Sequence, residues 1–173
     1  MLNKKTLFIT LFVGFIVIFS SCSNIPFYKY SAEPGIPLKN RVKVTFVNNF
    51  ANGSFILKDW NGNQIYKEIY KNKSWSTKDK IQLSVSGGLN VFTFDIRYEE
   101  DTRYVKNHHK IDNYELRIDL EPKKKYRIVG KAKKMGKSKG FGSNEDIDFY
   151  IYVYDITKGS SLVKEIKLGT SKY

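Results

Sequence analysis

Alternation of apolar and polar residues with a period of two runs through most of this chain from Arg41 onward. In RVKVTFV, Val42, Val44 and Phe46 share one face and Arg41, Lys43 and Thr45 the other. In NVFTFDIRY, Phe92, Phe94, Ile96 and Tyr98 alternate with Val91, Thr93, Asp95 and Arg97. NYELRIDLE sets Tyr114, Leu116, Ile118 and Leu120 against Glu115, Arg117 and Asp119. KYRIVGKAK sets Tyr126, Ile128, Gly130 and Ala132 against Lys125, Arg127, Lys131 and Lys133. Successive side chains of a strand point to opposite faces, so the pattern predicts strands with one buried face. Further strands are expected over residues 54–58, 64–70, 80–85, 147–155 and 162–168. Twelve Tyr and twelve Phe suit strands better than helices, and no stretch has a convincing helical period. Asn61-Gly62 predicts a tight hairpin, because both residues tolerate positive φ. Gly87-Gly88 predicts a link between the strand at Ile81 and the strand at Val91. The expected fold is all-β: a two-layer antiparallel β-sandwich of about 7–9 strands, occupying residues 41–173.

The first residues follow a different rule. Lys4 and Lys5 precede an apolar run from Leu7 to Phe19, and Ser20 and Ser21 are small. A positive start, an apolar run and small residues form the layout of a secretory signal, expected to be helical. The run is shorter than the roughly 20 residues a membrane span needs, although an uncleaved membrane helix is the alternative. Cleavage after residue 21 would leave 152 residues, enough for one domain with a sizeable core. The whole-chain charge of +13 would fall by two lysines to +11. Residues 22–40 hold three of the four prolines, Pro26, Pro34 and Pro37, and read as an extended tether. The alternative for part of that segment is that Phe27, Tyr28 and Tyr30 dock on the domain as an edge.

Phe19-Ser20-Ser21-Cys22 resembles the bacterial lipobox. The resemblance implies that Cys22, the sole cysteine, receives a diacylglyceryl group on sulfur and becomes the new, acylated amino terminus. A thiolate is the right nucleophile for such a transfer, and two or more chains hold a protein firmly on a membrane. Ser23 stands where aspartate would imply inner-membrane retention, so the resemblance implies an outer-membrane-sorted lipoprotein of the cell envelope. The strand order, with IQLSVSGGLNVFTFDIRY, LRIDLEPKKKYRIVGKA and FYIYVYDITKG, is similar to the transthyretin-like or immunoglobulin-like sandwiches attached to bacterial lipoproteins. That resemblance implies a fold and no activity.

No catalytic constellation stands out. His108 and His109 are adjacent, so on a strand they would face opposite ways; only in a loop could both reach one ion, with Asp101 or Asp112. DWNGNQ has Asp59, Asn61 and Asn63 at alternate positions, but Tyr70 stands where a calcium loop needs glutamate. GKSKGFG lacks the spacing of a phosphate loop. The expectation is a non-enzymatic protein with no cofactor and no metal. Two features could carry binding. Lys123, Lys124, Lys125, Arg127, Lys131, Lys133, Lys134, Lys137 and Lys139 fall in a stretch free of acids, a candidate site for an anionic polymer or anionic lipid. Tyr150, Tyr152 and Tyr154 alternate with Phe149, Ile151 and Val153, a candidate aromatic surface. The leading expectation is an accessory or assembly lipoprotein, held to the membrane at Cys22, that binds an envelope protein through its sheet. The basic module is the alternative. Nucleic acid is not expected: the chain reads as exported, and its 25 Lys against 5 Arg are the wrong balance for base recognition.

Overall fold

The computed structural model describes residues 27–50, 53–70, 80–101, 106–134 and 147–171. These form ten strands: β1 Phe27–Ser31, β2 Arg41–Asn48, β3 Gly53–Trp60, β4 Asn63–Gln64, β5 Lys80–Ser86, β6 Gly88–Asp101, β7 Lys106–Leu120, β8 Lys125–Lys134, β9 Ile147–Asp155 and β10 Ser161–Ser171. They make two sheets, one of six strands in the order β1-β5-β2-β8-β9-β10 and one of four in the order β4-β3-β6-β7. The all-β sandwich is therefore as expected, but with ten strands among the described residues against the 7–9 expected, because β1 joins the sheet. The alternating residues do what their period requires: Val42, Val44, Phe46, Phe92, Phe94, Ile96, Leu116, Ile118, Ile128, Ile151 and Val153 are all buried between the layers.

Three features depart from the sequence reading. The sheets are not purely antiparallel, because β1 pairs with β5, and β2 with β8, in parallel. The chain leaves β2 for the second sheet, returns as β5, leaves again as β6 and β7, and returns as β8. Parallel neighbours need such long crossovers, and local alternation carries no trace of them. The domain also begins before residue 41. Phe27–Ser31 is an edge strand, Ile36 is 5% exposed, and Tyr30 and Ala32 pack on the core. Docking, the alternative for this segment, is what residues 27–40 do; residues 1–26, which hold Cys22 and the expected signal segment, lie outside the described residues.

The third departure is residues 64–70. Only Asn63–Gln64 pairs as β4, and Tyr66–Tyr70 forms one helical turn. The Ile69 amide donates to the Ile65 carbonyl at 3.0 Å. Ile65 is buried and Ile69 packs beside the core. A spacing of four satisfies both the strand period and the helix period, so QIYKEIY could not distinguish them.

The turns behave as their chemistry dictates. Asn61 and Gly62 have φ of 49° and 80°, a mirror-image turn that matches strand twist. The Gly62 amide donates to Asp59 Oδ1 at 2.7 Å, so Asp59 serves the hairpin. Gly87-Gly88 joins strands of different sheets rather than a hairpin. Asn90, 2% exposed, pins that crossing. Its Nδ2 donates to the Ser86 and Gly88 carbonyls at 3.1 and 2.8 Å, and its Oδ1 accepts from Trp60 Nε1 at 2.8 Å. Asn90→Leu would strand a buried indole N–H and two carbonyls. Stranded buried groups cost about 1–3 kcal/mol each, partly relieved by relaxation, so the variant should lose about 2–3 kcal/mol in a urea titration.

Candidate functional site

β8 lies between β2 and β9, and that placement joins the two features noted in the sequence. Tyr126, Ile128 and Gly130 point into the core, so Lys125, Arg127, Lys131 and Lys133 project outward. Across the ladder Arg127 stands opposite Tyr154, Val129 opposite Tyr152, Lys131 opposite Tyr150 and Lys133 opposite Asp148. The basic row and the tyrosine row are therefore neighbours on one face. β10 flanks the tyrosines on their other side, with Lys167 opposite Tyr150, Glu165 opposite Tyr152 and Leu162 opposite Tyr154.

The three phenol rings stack along the strand, with centroids 5.9 and 6.3 Å apart and planes inclined by 21° and 25°. Each is half-buried. Partial burial raises the Tyr150 and Tyr152 hydroxyls above the ordinary phenol range, helped by Asp148 at Tyr150 and by the Glu165 charge at Tyr152. Both stay neutral donors at physiological pH. Asp148 closes the ladder at one end. It is fully buried, and its Oδ2 lies 2.6 Å from Lys167 Nζ and 3.2 Å from the Tyr150 hydroxyl. The hydrogen bond to Asp148 raises the Lys167 ammonium above its usual range.

The basic candidates do not all belong to this face. Lys123 sits at the β7–β8 turn with φ of 65°. Lys124 is committed elsewhere: its Nζ lies 2.7 Å from Glu121 and 3.2 Å from Asp155, and the Glu121 hydrogen bond foremost raises its pKa. The Lys134 side chain, Lys137 and Lys139 fall outside the described residues. The face instead gains cations from distant strands. Lys29 pairs beside Gln82, Lys80 beside Val47, and Lys43 beside Lys125. Alternation places Lys43 on the polar side, but no local signal places it next to Lys125. A shallow depression of about 490 Å³ lies among them, floored by Thr45, Val47 and Val129 and rimmed by Lys80, Gln82 and Arg127.

The outer face of the four-stranded sheet is the opposite case. There Lys58 lies 3.4 Å from Asp95, Arg97 bridges Asp95 and Asp112, Lys110 lies 3.4 Å from Asp112, and Arg117 lies 3.0 Å from Glu115. The Arg97 hydrogen bond holds the Asp112 carboxyl below the usual carboxylate range. On the six-stranded sheet, Lys43, Lys80, Lys125, Arg127, Lys131 and Lys133 carry no ion pair among the described residues. The two outer faces thus differ in kind: one is self-neutralised, the other presents free positive charge around an aromatic row.

His108 and His109 lie on β7. His108 is exposed and His109 is buried beside Tyr98 and Phe149, so adjacency on a strand separates them. No cluster of three metal-ligating side chains occurs among the described residues. Comparison with protein-family models, with curated proteins and with solved structures gives no match for this chain.

Proposed function

We propose that this chain is an exported, lipid-anchored protein of the bacterial cell envelope that works by binding rather than catalysis, through the outer face of its six-stranded sheet. Cys22 is the anchor, and Ser23 favours sorting to the outer membrane. Its partner is an envelope component bearing anionic groups. One observation carries this reading: positive charge is sorted between the two outer faces. A lysine-rich composition alone would load both sheets alike. Here the acids of the four-stranded sheet match its bases, while on the strands around the tyrosines Asp148 is taken by Lys167 and Asp155 by Lys124, which leaves Glu165 facing the unpaired bases of β8 and β2. The sequence readings of a sheet-borne surface and of a basic module meet at this one place.

The test is co-sedimentation with washed envelopes, using the chain from residue 22 with Cys22→Ser. That chain keeps every residue of the described fold. Binding should be strong at low salt and weaken steeply toward physiological salt, because exposed charges are screened over about 8–10 Å there. Binding indifferent to salt would assign a protein partner held by apolar contacts, and no binding at either salt would sink the reading. Separately, labelled palmitate should enter the wild-type chain in a bacterial host and not the Cys22→Ser variant.

A further inference from the structure

We infer that the component this face binds is the membrane itself: the six-stranded sheet lies against an anionic bilayer surface, with Arg127, Lys131 and Lys43 among the lipid headgroups. This rests on the proposed anchor at Cys22, and three observations extend it.

The first is reach. β1 begins at Phe27, five peptide steps after Cys22. Those steps span at most about 18 Å fully extended. A tether running to residue 40 would have let the domain stand well clear of the lipid. With residues 27–40 built into the fold, a lipid-anchored sandwich rests on the bilayer. β1 is moreover an edge strand of the six-stranded sheet, so the anchor departs from the sheet that carries the free cations.

The second is the layout of charge. A polymer is tracked by a row or groove of cations. Here the cations unpaired among the described residues spread over three adjacent strands, from Lys80 on β5 through Lys43 on β2 to Lys125, Arg127, Lys131 and Lys133 on β8. Three strands at about 4.8 Å spacing, with β8 running about 26 Å from Lys125 to Lys133, make a field and not a single line. A two-dimensional field of free charge complements a surface better than a strand.

The third is what lies between the cations. Tyrosine is the side chain that suits the headgroup level, with an apolar ring and a polar tip. Three stand in a row here, and Leu162, 53% exposed beside Tyr154, adds an apolar side chain at the edge of the same face.

The probe is vesicles of phosphatidylglycerol mixed with phosphatidylcholine, against phosphatidylcholine alone, with the Cys22→Ser chain from residue 22. Binding is expected to the anionic vesicles only and to fall with salt. Arg127→Gln with Lys131→Gln should weaken it about 30-fold, as two cations near lipid each contribute about a factor of five. Lys110→Gln with Arg117→Gln, an equal charge change on the other sheet, should leave it within twofold. Circular dichroism melts confirm that both pairs fold. Equal losses from both pairs would overturn the inference, since net charge and not this face would then drive binding. Failure to bind anionic vesicles while dextran sulfate is bound would also overturn it, assigning the face to an acidic polymer and leaving the proposed function standing. Vesicle binding without palmitate on Cys22 would uphold the face and remove the anchor.

Discussion

Gly130→Val should destabilise the protein by at least about 3 kcal/mol, visible as a large drop in the urea midpoint. Propensity alone points the other way, since valine is favoured in strands and glycine is not, by up to about 1 kcal/mol. Packing decides the sign. A Cβ at Gly130 would fall 2.7 Å from Phe55 Cγ and 2.9 Å from Phe50 Cε2, both on rings inside the core. Overpacking of this kind costs typically about 1–3 kcal/mol, and a branched side chain against two rings lies at or beyond the top of that range. The loss is large against a total stability of about 5–15 kcal/mol. Gly130→Ala should show a smaller loss of the same sign. A stabilised valine variant would mean that Phe50 and Phe55 do not pack against the β8 backbone.

Phe94→Ala should cost about 3–5 kcal/mol, the range for emptying an aromatic site in a closed core. Phe94 is fully buried and bridges the layers. Its ring stacks on Phe55 of its own sheet at 4.4 Å and meets Phe46 of the facing sheet at 5.5 Å, while Phe46 also meets Phe92 edge-on at 5.1 Å. Removing one ring therefore takes partners from both layers and leaves a space that no neighbouring strand can close. Phe94→Leu keeps most of the volume and should lose less than half as much. A deficit below about 1 kcal/mol for the alanine variant would show that the core collapses around the gap, against the rigidity expected of close-packed interiors.

Strands and turns were legible because their signals are local. The alternation in RVKVTFV or NVFTFDIRY names the buried residues directly, and Asn61-Gly62 names its turn. Beyond that hairpin, the paired partner of each strand was not legible. Nothing near Lys43 says that Lys125 is its neighbour, and nothing near Tyr150 says that Lys131 and Lys167 flank it. The site was accordingly half visible: both of its rows were singled out, but as separate features, and Lys124 was grouped with cations it does not join. Its carboxylate partners, Glu121 and Asp155, come from the preceding turn and from another strand. The edge strand β1 was legible only as an alternative to a tether, for a related reason. Five residues among prolines carry too little pattern to reveal pairing with β5.

The parallel ladder between β2 and β8 bears on the order of events after synthesis. Lys43 and Lys125 meet across it, although nearly half of the chain lies between them. β9 and β10 join the same sheet only through β8. The central strand of the larger sheet therefore stays without one neighbour until two-thirds of the chain has emerged. Folds that depend on such distant pairings acquire native structure slowly, because loop closure is unfavourable before the contacts reward it. For a chain exported as proposed above, that delay is useful: slow pairing of β2 with β8 favours an unfolded, threadable chain during passage.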